Sequence, residues 1–194
     1  MRVIQITDEP IARWDEALVL PAGEIGEITV RGAMVTQRYW ARPERTALAK
    51  IDEEGQVVHR MGDVGYFDDL GRLWMCGRKD HRVRAAGGEL FTIPVERVFD
   101  RHESVRQSAL VGVGEPGAEV PVLLVERTEG ALKGGEALTF ELLEIARERS
   151  ELSSIETVLI YPGRFPTDVR HNAKIVREEL KVWATQNLGA AGAS

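Results

Sequence analysis

Residues 59–80 read HRMGDVGYFDDLGRLWMCGRKD, and the way this run folds decides how the rest of the chain is read. Within it, GYFDDLGRLWMCG carries Asp68-Asp69-Leu70-Gly71 between two groups of strand-forming residues, a composition that predicts a hairpin turn. Upstream, EITVRG at 27–32 and VVHR at 57–60 read as further short strands, so the chain from Glu24 to Gly77 is expected to be mostly β. Pro43 opens the one helical segment of this half, PERTALAK, at a position where a proline's missing N–H costs nothing.

Beyond Asp80 the rhythm changes. HRVRAAGGELF reads as a hairpin around a Gly-Gly turn, IPVERVFDRH as a short helix, and SALVGVG and VPVLLVER as two strands. Residues 136–150 form an amphipathic pattern with Leu138, Leu142, Leu143 and Ile145 inward, and TVLIYP follows as a strand. The chain closes with a helix, VREELKVWATQN, and a small-residue tail, GAAGAS, expected to fray. The fold class is α+β, with a boundary between Arg78 and Asp80 dividing residues 1–79 from 80–194. The helix at 136–150 is expected to form one core with Val111, Val113, Leu123 and Val125, and Trp183 to pack inward rather than stack on a ligand.

Composition excludes several classes. With 194 residues and 43% apolar content the chain can bury a sizeable core, and its formal net charge of -6 argues against a nucleic-acid surface. No apolar run is long enough to span a bilayer, residues 1–20 lack the pattern of a signal peptide, and Cys76 has no partner for a disulfide, which together point to a cytoplasmic protein. The four histidines lack metal-ligand spacing, so no metal site is expected. GVGEPG at 112–117 has the glycine spacing of a dinucleotide fingerprint, but a strand rather than a helix follows it, so it reads as a turn.

Two features remain. Asp63 follows Gly62 and precedes a short apolar step, and Arg78 and Asp80 flank Lys79 directly after a strand. A carboxylate beside glycine can accept hydrogen bonds from both hydroxyls of a vicinal diol such as ribose, and an arginine offers charge-assisted donors to ribose and phosphate oxygens. The residues alone equally allow Asp63 as a turn residue and Arg78 as a solvated strand-end charge. Likewise Lys174, in FPTDVRHNAKI at 165–175, is by itself either a helix-entry surface charge or a working group.

Taken together, GEIGEITVRG, YWARPERT, RMGDVGYFDDLGRLWMCGRKD, VRAAGGELFTIPVE and HNAKI, in this order from Gly23 to Lys174, resemble the last third of the adenylate-forming, acyl-activating superfamily. The resemblance implies that residues 1–79 are the β-rich end of a large N-terminal adenylation domain and that 80–194 are a small α+β lid. It implies ATP as cofactor, with Asp63 binding the ribose and Arg78 its ribose or phosphate side, and Asp80 as the hinge. Lys174 would reach the site during adenylation, Gly87 would lie in the lid loop, and Mg²⁺ contacts would come from the N-terminal domain.

Departures narrow the resemblance. Ala173 stands where the family usually has glycine, and Glu89, after Ala86-Gly87-Gly88, puts a carboxylate where a cation often sits, which is unhelpful near CoA phosphates. The chain is most similar to the β-lactone synthetase branch of bacterial long-chain olefin biosynthesis. That implies a long-chain β-hydroxy fatty acid as substrate, ring closure without CoA, and other enzymes of the olefin pathway as partners. An acyl-CoA or acyl-AMP ligase and a non-catalytic docking module are the alternatives. As a separate polypeptide, without an N-terminal adenylation domain, the chain is expected to be inactive, whether it is a piece of a larger enzyme or a natural fragment.

Overall fold

In the computed structural model, residues 1–131, 134–168 and 174–189 are described; His171, Asn172, Ala173 and the tail from Ala190 lie outside them. The chain divides into two units, Met1–Asp80 and His81–Ser194.

In the first unit β1 (Arg2–Ile4), β2 (Gly26–Arg31), α1 (Pro43–Ala49), β3 (Lys50–Glu53), β4 (Gln56–Phe67) and β5 (Leu73–Arg78) follow in order, and the strands form one antiparallel sheet. Pro43 sits in the first turn of α1 as expected. The long strand β4 organises the sheet. One of its edges carries β2; along the other, residues 56–59 pair with β3 and residues 63–67 with β5. Gly62, at φ +68°, lies at the changeover, where a side chain would strain the backbone. The strand signal is thus interrupted at Gly62 while the strand is not, and Asp63 belongs to a ladder rather than to a turn.

The hairpin after β4 closes as predicted, because Asp68 builds it. Its Oδ1 accepts from the Leu70 and Arg72 N–H groups at 3.0 and 2.9 Å, and its Oδ2 from Arg72 Nε and Trp74 Nε1 at 2.7 and 2.9 Å. Behind the sheet Ile4, Ile51 and Val58 are buried against Ile11, Trp14, Leu18 and Val19.

The second unit opens with a small hairpin, β6 (Val83–Ala85) and β7 (Gly88–Leu90), then α2 (Thr92–Phe99). Next come β8 (Val105–Val113), β9 (Val120–Arg127), α3 (Gly135–Arg147) and β10 (Thr157–Ile160). Strands β8 and β9 are antiparallel, and α3 is the crossover that lets β10 join β9 in parallel. The chain ends in a two-residue ladder, β11 (Thr167–Asp168) with β12 (Lys174–Ile175), and α4 (Arg177–Asn187).

This sheet is apolar on both faces, so the single expected core is two. Leu110, Leu123 and Val125 pack with Leu138 and Leu142 of α3 and with Val95 and Phe99 of α2. Val111 and Val113, expected on that side, point the other way with Val122 and Leu124, toward Leu180 and Ala184 of α4. Alternation along a strand forces this: neighbours in a continuous apolar run must face opposite layers. Leu143 and Ile145 of α3 are only partly buried. Trp183 packs inward as expected, edge-on to Tyr161 at 5.0 Å between ring centres. GVGEPG spans the end of β8 and the turn into β9, with Gly114 and Gly117 in the left-handed region at φ +107° and +93°.

Candidate functional site

Asp63 and Arg78 occupy opposing positions on β4 and β5, and the ladder brings their side chains together: Arg78 Nη1 donates to Asp63 Oδ1 at 2.9 Å. Asp63 is half-buried while Arg78 is largely exposed, so the pair presents a carboxylate and a guanidinium side by side at the surface. The close approach of the two strands is a glycine effect. A Cβ on Gly65 would lie 2.4 Å from the Trp74 carbonyl oxygen, so only glycine permits this spacing two residues from Asp63.

Beside the pair lies a buried network that the sequence did not betray. Arg60 and Glu27 are almost completely enclosed, with Arg60 Nε and Nη2 donating to Glu27 Oε2 at 2.9 and 2.6 Å. Arg60 also donates to the carbonyls of Thr7 and Glu9, and Lys79 Nζ donates to the Thr7 carbonyl at 3.1 Å and lies 3.6 Å from Glu27. These bonds tie residues 7–9 to β4 and to the residue after Arg78. The one available signal was Glu27 heading an apolar strand, EITV, where alternation gives it the same face as Thr29, which is also buried. An open crevice of about 1010 Å³ in this unit is lined by Asp8, Glu27, Arg60, Gly62, Lys79 and Asp80. Asp80 itself is exposed, in a 3-10 turn, Lys79–His81, where the sequence passes from one unit to the next. Cys76 is buried, and burial pushes its thiol up to about 11.

The other predicted residues belong to the second unit, on separate elements. Lys174 is exposed on β12, opposite Asp168. Gly87 occupies the turn between β6 and β7 with open space where a Cβ would stand; the glycine that the backbone requires is its neighbour Gly88, at φ +131°. Glu89, expected as an adverse negative charge, accepts from Arg82 Nε at 2.8 Å and is thereby offset.

Three residues after Lys174, Arg177 makes a fork with Glu96 of α2 at 2.6 and 2.8 Å. Burial raises the Glu96 carboxyl, against the pull of Arg177 and of the Leu110 N–H. One turn further along α4, Lys181 donates to Glu119 at 2.9 Å, and Glu119 also accepts the Arg84 N–H at 2.7 Å. Burial would raise Glu119, but these donors outweigh it and hold the carboxyl below its usual range. Among the described residues no cluster of three or more His, Cys, Asp or Glu side chains could hold a metal ion, and no helix is long and apolar enough to cross a membrane.

No family model matches the chain. It is 50% identical over 193 residues to an olefin beta-lactone synthetase of Stenotrophomonas maltophilia, a match covering 97% of this chain and 35% of that protein. A long-chain-fatty-acid–CoA ligase of Bacillus subtilis is 31% identical over 183 residues, covering 93% of this chain and 31% of the relative. ATP-bound MatB from Rhodopseudomonas palustris shares the fold, with a TM-score of 0.73 at 22% identity over 91% of this chain and 33% of that one. The chain is similar to the C-terminal part of adenylate-forming enzymes. It spans about a third of the length of the curated relatives it matches, and its fold is that of the C-terminal part of this superfamily.

Proposed function

We propose that this chain is the C-terminal part of an ATP-dependent acid-activating enzyme whose substrate is a long-chain β-hydroxy fatty acid and whose product is a β-lactone. The observation that carries the reading is the cross-strand pair of Asp63 and Arg78, a diol acceptor and an oxyanion donor held 2.9 Å apart, in a chain half identical to an olefin beta-lactone synthetase. Asp63 would accept from the ribose hydroxyls of ATP, and Arg78 would donate to its ribose or phosphate oxygens. Residues 1–79 would complete an adenylation domain and residues 80–194 would form its lid, with Asp80 as the hinge.

The substrate carboxylate attacks the α-phosphorus, the bond to the β-phosphate oxygen breaks, and pyrophosphate leaves. Negative charge accumulates at the α-phosphate as this happens. Lys174, exposed on a short strand, supplies the compensating cation; its flexible stem and compact charge suit delivery from a lid. The β-hydroxyl then attacks the acyl-adenylate carbonyl carbon, the bond from that carbon to the adenylate oxygen breaks, AMP departs with the oxygen, the hydroxyl proton passes to solvent, and the β-lactone is released. Nucleophile and electrophile share one molecule, so their encounter is already arranged and CoA is dispensable. Mg²⁺ would be held outside the described residues, which form no cage for it.

A second reading, a fatty acyl-CoA ligase, draws on the slim open turn at Gly87 and on the Bacillus relative. One incubation separates the two: complete enzyme, β-hydroxy fatty acid, ATP and Mg²⁺, with and without CoA, followed by mass spectrometry. Lactone and AMP formed in the absence of CoA are expected. A strict CoA requirement would select the ligase, and no AMP under either condition would overturn acid activation altogether.

A further inference from the structure

Arg177 is the first residue of α4, where the positive end of the helix dipole disfavours a cation. No side chain caps this helix; Val176 occupies the cap position. A guanidinium placed against local preference implies a role beyond the helix itself. Its partners define that role. Arg177 Nη1 and Nη2 donate to the two oxygens of Glu96 at 2.6 and 2.8 Å, and Nη1 reaches the Leu110 carbonyl at 3.2 Å. Glu96 Oε1 also accepts the Leu110 N–H at 2.8 Å, so α2, β8 and the start of α4 are pinned at one point. Both side chains are mostly buried, with 15% and 11% of their surface exposed. A buried ion pair contributes little net stability relative to apolar residues of the same size, and its best-attested use is to fix one register among several.

The register fixed here is that of Lys174. Three residues of extended chain span at most roughly 10 Å, so the lysine hangs on a short tether from the fork. On its other side the chain is held by the Thr167–Ile175 and Asp168–Lys174 pairing and by the Val176 N–H on the Pro166 carbonyl at 2.9 Å. We propose that Glu96 and Arg177 are positioning residues that set where the Lys174 ammonium is presented during acid activation. This rests on the proposed role of Lys174.

Two variants test it without emptying the site. Glu96→Gln keeps an acceptor for the Leu110 N–H, and Arg177→Lys keeps the cation but not the fork. In the complete enzyme each is expected to lower the single-turnover rate of adenylate formation about tenfold, the scale of a small misplacement, with an unchanged KM for ATP. In a Lys174→Ala background Arg177→Lys should add almost nothing, because the group it positions is gone. Losses that multiply in the double variant would overturn the clamp and leave the lysine's role standing. A Lys174→Ala enzyme as fast as the wild type would overturn both. A readout free of activity uses this chain alone: Lys174→Cys carrying a ¹⁹F tag, which buried Cys76 will not take up. Arg177→Lys should broaden or shift its resonance, and an identical spectrum would refute the clamp whatever the enzyme's chemistry.

Discussion

Under the proposed function Lys174 and Asp63 would contribute in different ways, and their variants should fail differently. In that reading the ammonium of Lys174 would matter most where charge develops, so Lys174→Ala in the complete enzyme is expected to slow adenylate formation by about two to three orders of magnitude, with a small change in KM for ATP. Pyrophosphate exchange at the wild-type rate would contradict this. On the proposed reading Asp63 would grip a part of the nucleotide that does not react. Asp63→Asn keeps the shape and loses the charge, so its effect should appear as weaker ATP binding, about tenfold or more in KM, at a nearly unchanged kcat. The neighbouring Arg78 would then lose its 2.9 Å partner, but it is exposed enough for water to replace that bond, so folding should be little affected. Equal losses in kcat and KM for the two variants would erase the distinction between a reacting and a gripping role.

At the scale of elements, the hairpin that carries the pair depends on a missing side chain. Gly65→Ala would place a Cβ 2.4 Å from the Trp74 carbonyl oxygen, a backbone atom that can yield only if β5 moves away from β4. The expected cost is about 2 kcal/mol or more in urea unfolding, together with a raised KM for ATP as Asp63 and Arg78 separate. An unchanged unfolding midpoint would show that β5 shifts freely. This hairpin was legible in the sequence because its turn chemistry is local: Asp68 satisfies neighbours two to six residues away. α3 was legible by its apolar stripe, and α4 by its helical pattern. What escaped was long-range. Arg60 meets Glu27 across 33 positions and Arg177 meets Glu96 across 81, and no periodicity announces such partners. The split of Val111 and Val113 from Leu123 and Val125 escaped for a related reason, since an apolar run does not say which layers cover it. The chemistry of Asp63 stayed ambiguous at the level of residue types, and only the resemblance of five ordered segments favoured a ribose.

For the molecule as a whole, the two units each hold their own core and distribute their titrating groups unevenly. In the first unit Glu53 is held down to about 2 by hydrogen bonds from Arg2, at 2.6 and 2.8 Å, and by a further bond from Arg31. A carboxyl lowered on folding stabilises the fold above its unfolded value of about 4.3, and that stability is lost as pH falls toward the folded value. In the second unit the directions oppose. Glu119 is lowered, whereas burial raises Glu96, whose contribution is therefore complete in acid and is lost as pH rises. Acid should thus weaken the first unit more than the second. Tryptophan emission separates them, because Trp14, Trp40 and Trp74 lie in the first and Trp183 in the second. In a Trp183→Phe chain the thermal midpoint should fall between pH 5 and 2.5, and adding Glu53→Gln should lower the midpoint at pH 5 and flatten the slope. A slope that survives Glu53→Gln would place the acid sensitivity of this unit elsewhere than the bridge joining β1, β2 and β3.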